Sequence, residues 1–410
     1  MHLFLQNSTI NPSADITITG SKSESNRLLL LKALFENLEI QNVSNSDDSQ
    51  YMLKALDSDN PIVDIHHAGT AMRFLTAYFA TLDGKTTLLT GSQRMQERPI
   101  KILVDTLRAL GADIAYDKED GYPPLRITGK TLLKDEVQMK ANVSSQYISA
   151  LLLMATKLKN GLTLHLEGKI TSVPYIQMTL SLLDQLGVET SFEGQVIKVK
   201  PYLEMVSKTF TVESDWSSAS YFYSIVALSP VGTQINLSTY KKDSLQGDAV
   251  LQEIYTHLGV QTTFEGSKIN LKKINTNFPE SLDLDLANAP DIAQTIVVTC
   301  LGLQIKCHLK GLHTLKIKET DRLEALKNEI YKFGTSIDIT DDSLHLSNPK
   351  PLKSGAVVET YNDHRMAMAF APLALRTGFS IKEAEVVSKS FPDFWDNLAE
   401  LGFNTSVSEK

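Results

Sequence analysis

The sequence predicts an α/β protein of two domains, each built from three copies of one supersecondary unit. Three observations carry this reading. An apolar helix that ends in Leu-Gly or Phe-Gly and runs into short alternating strands recurs five times, at Gly111, Gly187, Gly259, Gly334 and Gly402. The spacing of about 70 residues suits a unit of two helices and several strands. Each glycine stands where a helix end needs the left-handed conformation. After two of them, Thr190-Ser-Phe-Glu-Gly-Gln-Val-Ile-Lys-Val and Thr262-Thr-Phe-Glu-Gly-Ser-Lys-Ile-Asn-Leu read as hairpins turning at Glu-Gly and Gly-Ser. A length of 410 residues leaves room for two or three domains with their own cores. A less clear first copy is the helix Asn26 to Phe35 with a strand near Ile40, and six copies divide into two sets of three.

Taken in order, the strand-like Ile16-Thr-Ile-Thr leads into Gly20-Ser-Lys-Ser-Glu-Ser-Asn-Arg27 and an apolar helix. Unpaired N–H groups and hydroxyls at a helix start, beside Lys22 and Arg27, suit a phosphate, although a well-capped helix with a solvated lysine would read the same. The spacing is not that of a P-loop. His67-Ala-Gly-Thr-Ala-Met-Arg73 places small residues before the helix Ala71 to Ala80, where a backbone can approach a ligand. Arg94 and Arg98 flank a turn before the next helix, and Arg98 has Glu97 or Asp105 as alternative partners. Ser144-Ser-Gln146 and Ser172-Val-Pro174 open two more helices. A serine there is ordinarily an N-cap. Three such starts, near residues 23, 144 and 172, hold equivalent places in successive repeats, and threefold stacking would converge their positive ends.

In the second half, Asp291 precedes an apolar helix. Lys318, Glu319 and Arg322 crowd another helix start, and if the turn is helical Lys318 and Arg322 share a face. Tyr361-Asn-Asp-His-Arg365 enters a wholly apolar helix, and Lys389-Ser-Phe-Pro-Asp393 forms a loop before the last one.

Composition excludes several functions. A formal net charge of -8, with no basic block, argues against a nucleic-acid surface. Cys300 and Cys307 cannot staple so long a chain, lack metal-ligand company, and fall in what reads as an apolar strand region, so a reducing compartment is expected. No secretory signal and no membrane span is read, and a cytoplasmic location is expected. Only nine of the 40 basic residues are arginines, and six of them (27, 73, 94, 98, 322 and 365) lie in the motifs above. Arginine is the side chain whose fork fits carboxylates and phosphates.

Together these motifs, above all Asn-Asp-His-Arg-Met-Ala-Met, Lys-Glu-Thr-Asp-Arg-Leu and Arg-Met-x-Glu-Arg-Pro-Ile, closely resemble the 3-phosphoshikimate 1-carboxyvinyltransferase (EPSP synthase) family, from Gly20 to Pro392. The resemblance implies a two-domain inside-out α/β barrel, each domain three βαβαββ-type repeats with pseudo-threefold symmetry, helices inside and sheets outside. Residues 1–19 would join 214–410, residues 20–213 would form the inserted domain, and the domains would close over substrates in the cleft between them.

The implied reaction moves the enolpyruvyl group of phosphoenolpyruvate to the 5-hydroxyl of shikimate 3-phosphate. By motif match, Ser23, Arg27, Ser144, Ser145, Ser172, Asp291 and Lys318 would hold shikimate 3-phosphate. Gly69, Arg94, Arg322, Arg365 and Lys389 would hold phosphoenolpyruvate, and Lys22 and Gln146 would touch both. Asp291, Glu319 and Lys22 would be catalytic. No cofactor, metal, nucleic-acid or membrane partner is implied, and a monomer is expected.

Two departures stand out: His67 replaces the family's common Asn, and Phe74 a small residue or Pro. The first predicts altered affinity for phosphoenolpyruvate and its phosphonate mimics. The rival readings are enolpyruvyl transfer to a UDP-amino sugar, whose enzymes carry a reactive Cys in the loop matching residues 92–98, and a ligand-binding homologue without turnover. That loop holds no Cys, and Asp291, Glu319 and Lys22 are all present.

Overall fold

The computed structural model describes residues 1–35, 37–141, 144–202 and 207–408. The chain divides into two compact units, Gly20–Val212 and Met1–Thr19 with Glu213–Lys410. Among the described residues no helix is long and apolar enough to cross a membrane.

In Gly20–Val212, strand Ile62–Asp64, helix Gly69–Ala80, strand Thr86–Thr90, helix Lys101–Leu110 and the strands Asp113–Tyr116 and Leu125–Thr128 form one βαβαββ unit and one four-stranded sheet. Ile62–Asp64 pairs parallel with Thr86–Thr90, which pairs antiparallel with Leu125–Thr128. The order repeats from Glu136–Lys140 to Val196–Val199, with the hairpin turning at Gly194 as the sequence predicts. The third copy is shorter than expected. Leu38–Gln41 pairs parallel with Lys208–Thr211 in a two-stranded sheet, because the helix Asp47–Leu56 leads directly into Ile62–Asp64 and leaves no length for a hairpin.

The other unit carries three four-stranded sheets. Ser13–Ile16 lies parallel to Gln234–Ser238, whose far side pairs antiparallel with Lys268–Lys273. The strand there ends at Ile16 instead of continuing to Thr19. Ser281–Asp285 runs parallel to Lys306–Lys310, followed by Ser343–Leu346 and Asp338–Ile339. The third sheet has the order Val357–Val358, Phe379–Lys382, His2–Leu5, Thr405–Ser408. Cys307 lies in a strand, but Cys300 lies in the helix Ala293–Leu303, where its β-branched neighbours misled the strand reading.

All five predicted helix-ending glycines have positive φ, from 76° at Gly259 to 108° at Gly111. They let each helix stop and the chain return as a strand. Every residue of Gly69–Ala80 is buried, and so is nearly all of Ser145–Ala155, Trp216–Leu228 and Ala293–Leu303. A helix apolar on every side belongs inside, and each large side chain buried there contributes roughly 1.5–3 kcal/mol. The sheets alternate, as in Thr86–Thr90, where Thr87 and Leu89 are buried and Thr86 is exposed. Helices therefore form the interior of each unit, and their first turns present polar side chains.

Candidate active site

In Gly20–Val212 the first two turns of four helices come together. Gln146 Nε2 donates to Thr70 Oγ1 at 3.2 Å, joining the starts of Ser145–Ala155 and Gly69–Ala80. Arg27, in Lys22–Leu34, donates from Nε to Thr179 Oγ1 (2.8 Å) and from Nη2 to Ser149 Oγ (2.8 Å) and the Tyr175 carbonyl (3.2 Å). Its Nη1 reaches the Ser23 carbonyl at 2.6 Å. Arg27 is therefore a buried strut among three helices rather than the open fork expected from sequence. All four acceptors are neutral oxygens, and burial lowers its pKa to about 10. A buried cation without a carboxylate bonded to it leaves positive potential beside helix N-termini, which attract anions themselves.

Ser144 caps its helix through the Gln146 N–H, whereas Ser172 adopts φ 53° with its hydroxyl uncommitted to the cap. A non-glycine residue in that region stores strain. His66, just before Gly69, is a second case at 49°. Lys22, Ser23, Ser144, Gln146 and Ser172 are half-buried and Ser145 is buried.

The arginine placed against Gly69 is Arg98, not Arg94. A methyl group on Gly69 would stand 2.7 Å from Arg98 Nη1 and 3.4 Å from Arg73 Nη1. Arg94 is 55% exposed and pairs with Glu97 at 3.3 Å. The four-residue helix Gln93–Gln96 turns Arg94 outward, and Arg98 follows the turn inward. His67 meets His66 through the two Nδ1 atoms at 2.6 Å and Asp47 Oδ2 at 3.5 Å. Phe74 is buried beneath Arg27, with the guanidinium carbon 5.5 Å from the ring centre.

The second cluster lies wholly in the other unit. Arg322 opens the helix Arg322–Lys332 and binds three carboxylates: Asp363 Oδ2 from Nε at 2.6 Å, Asp291 Oδ1 from Nη1 at 2.8 Å and Glu319 Oε2 from Nη2 at 2.9 Å. Lys318 Nζ and Arg365 Nη2 each stand 3.4 Å from Asp291. Lys318 lies outside the helix, as the residue after the 3-10 turn His313–Ile317, so the shared helix face expected for Lys318 and Arg322 does not exist. They meet through Asp291 instead.

Burial raises the Asp291 pKa, but Lys318, Arg365 and Arg322 outweigh it and hold the carboxyl well below the usual range. Burial likewise pulls Lys318 below its ordinary value, against the attraction of Asp291. Arg365 follows two strained residues, Tyr361 and Asn362 with φ of 54° and 56°, and Lys389 Nζ donates to the Asn362 carbonyl at 2.6 Å.

The structure thus gathers Asp291, Lys318, Glu319, Arg322 and Arg365, with Lys389 tied to the adjoining turn. It gathers Lys22, Ser23, Arg27, Ser145, Gln146 and Ser172 around the helix starts of the first unit. Sequence reasoning missed Asp363 as the partner of Arg322 and Asp248 behind Ser217. Asp363 lay within a motif already marked as a polar patch, whereas Asp248 had no local signal.

A model of the EPSP synthase (3-phosphoshikimate 1-carboxyvinyltransferase) family matches residues 56–398. The 3-phosphoshikimate 1-carboxyvinyltransferase of Bacteroides fragilis strain ATCC 25285 is 48% identical over 402 residues, covering 97% of each chain. That of Shewanella pealeana is 36% identical over 420 residues, covering 95% of this chain and 97% of the relative. The 2.37 Å structure of EPSP synthase from Acinetobacter baumannii shares the fold over 100% of both chains, with a TM-score of 0.76 at 20% identity. With the family model spanning most of the chain and relatives aligned over nearly all of it, this chain belongs to the EPSP synthase (3-phosphoshikimate 1-carboxyvinyltransferase) family.

Proposed function

We propose that the protein transfers the enolpyruvyl group of phosphoenolpyruvate to the 5-hydroxyl of shikimate 3-phosphate and releases phosphate. This is the step of the shikimate pathway that leads toward chorismate and the aromatic amino acids. The observation that carries the reading is the convergence of Lys318, Arg322 and Arg365 on the single carboxylate of Asp291, beside Glu319, in a chain of this family.

In addition, the acceptor oxygen bonds to C2 as its proton leaves, and C3 takes a proton. In elimination, the bond from C2 to the phosphate oxygen breaks and C3 gives its proton back. Asp291 is the assigned base for the hydroxyl, and Glu319 the group that protonates and deprotonates C3. Held by three cations, Asp291 is a weak base. An anionic substrate that draws Arg322 and Arg365 to itself removes part of that stabilisation and raises the basicity of Asp291 as the hydroxyl arrives. The cations then face the charge developing on the departing phosphate, with Lys22 assisting.

Shikimate 3-phosphate is assigned to Ser23, Arg27, Ser144, Ser145, Gln146, Ser172 and Lys318. Arg27 contributes its field through the helix starts it braces. Phosphoenolpyruvate is assigned to Gly69, Arg322, Arg365 and Lys389, with Arg98 in the place expected of Arg94. A monomeric state and a cytoplasmic location belong to the same proposal.

The test is phosphate release from phosphoenolpyruvate with shikimate 3-phosphate or a UDP-amino sugar as acceptor. Release with the first alone is expected. Release with the amino sugar alone would move the assignment to that acceptor, and release with neither would refute enolpyruvyl transfer.

A further inference from the structure

The two arginines on Asp291 are held in different ways. Arg322 is clamped by carboxylates at 2.6–2.9 Å. Every side-chain contact of Arg365 is longer. Its Nη2 lies 3.2 Å from Ser217 Oγ and 3.4 Å from Asp291 Oδ2, and its Nη1 lies 3.5 Å from Tyr221 Oη. Ser217 and Tyr221 are four residues apart on the helix Trp216–Leu228 and so present their hydroxyls from one face. Arg365 rests in this cradle with Asp291 as the one carboxylate within ion-pair distance of its guanidinium among the described residues.

Behind the cradle stands Asp248, in the 3-10 turn Gly247–Val250 and 1% exposed. Its Oδ2 accepts the hydroxyl of Ser217. Its Oδ1 is buried and has no hydrogen-bond partner among the described residues. A hydroxyl has one proton. With that proton committed to Asp248, Ser217 Oγ faces Arg365 as an acceptor only. A carboxylate in such a place is costly unless something requires it. We infer that Asp248 is a positioning residue for phosphoenolpyruvate: by fixing the direction of the Ser217 hydroxyl, it holds the Arg365 guanidinium in the orientation that receives the anionic substrate.

Burial and the charge of Asp291 push the Asp248 carboxyl up to about 7, against the opposing pull of Arg365 and Ser217, with Asp215 adding a smaller push. The group is thus tuned by the same charges as Arg365. This inference rests on the assignment of Arg365 to phosphoenolpyruvate.

Steady-state kinetics on the full chain test it. Asp248→Ala is expected to raise KM for phosphoenolpyruvate at least tenfold, while kcat and KM for shikimate 3-phosphate change less than threefold. Asp248→Asn, whose amide oxygen still accepts from Ser217, should return KM to within threefold of the wild type. Ser217→Ala should match Asp248→Ala, and the double variant should be no worse than either single one, as members of one relay are not additive.

An unchanged KM for phosphoenolpyruvate in Asp248→Ala would overturn the inference. So would an equal rise in KM for both substrates with a fall in melting temperature, which marks a merely structural role. Arg365→Ala separates the two levels: if it leaves KM for phosphoenolpyruvate unchanged the parent assignment fails, and if it raises KM while Asp248→Ala does not, only the relay fails.

Discussion

Replacing Arg322 by methionine removes the one guanidinium that three carboxylates share. Asp291 keeps Lys318 and Arg365 at 3.4 Å, and Glu319 is partly exposed. Asp363 is worse placed: its side chain is fully buried, and apart from Arg322 the hydrogen bond that remains is the Arg365 N–H on Oδ1 at 2.9 Å. Leaving one partner of a buried ion pair uncompensated costs about 3–5 kcal/mol. For a unit of this size, each kcal/mol lowers the melting temperature by about 2–4 °C, so Arg322→Met should melt roughly 6–20 °C below the wild type at pH 7.

The uncompensated Asp363 carboxyl would titrate upward, so its folded form would hold a proton more tightly than its unfolded form. The deficit should therefore shrink as pH falls toward 5. Asp363→Asn removes the stranded charge, and the double variant Arg322→Met/Asp363→Asn should recover more than half of the loss, a non-additivity expected of groups in contact. Differential scanning calorimetry at pH 5 and pH 7 on the four proteins checks this. A deficit below 2 °C, or a double variant that melts at the sum of the two single losses, would refute the view that Arg322 neutralises Asp363.

Three further outcomes follow from the geometry. Arg98→Ala should raise KM for phosphoenolpyruvate at least tenfold while Arg94→Ala, whose pair with Glu97 is exposed, changes it less than twofold; steady-state kinetics on both variants would expose a reversed order. Asp248 sits near pH 7 in the fold, above the ordinary carboxylate value, so its contribution to stability is present at low pH and fades as pH rises through about 7, a change of roughly 4 kcal/mol in all. Asp248→Asn should accordingly gain on the wild type between pH 5 and pH 8 in urea unfolding, and an equal difference at both pH values would contradict this. His67→Asn removes the ring contacts to His66 and Asp47 two residues before Gly69, and should shift the binding constants of phosphoenolpyruvate and its phosphonate mimics several-fold; unchanged constants would count against a role for position 67.

The repeats were legible because their punctuation is local. A left-handed glycine after a helix and a two-residue turn such as Gly266-Ser267 are set by neighbouring residues. The shortened copy was not legible, since Leu38–Gln41 finds its partner at Lys208–Thr211, and pairing at that separation leaves no local mark. The site divides in the same way. Asp291, Glu319, Arg322 and Arg365 sit in motifs dense in charge and could be picked from the chain. Asp248, in an ordinary Gln-Gly-Asp, acquires its meaning only when the fold sets it behind Ser217. Arg94 and Arg98 could not be ranked by type or spacing, because a single turn of backbone decides which of them faces Gly69.

His2–Leu5 lies between Phe379–Lys382 and Thr405–Ser408 in its sheet, with Leu3 opposite both Ile381 and Val407. A ribosome releases about 5–20 residues each second, so His2–Leu5 is made roughly 20–80 s before the neighbours that satisfy its backbone. In that interval the whole of Gly20–Val212, one contiguous compact unit, is made. The sheet of the surrounding unit is therefore completed only after all of Gly20–Val212 has been made, by joining strands that stand on either side of it in the sequence.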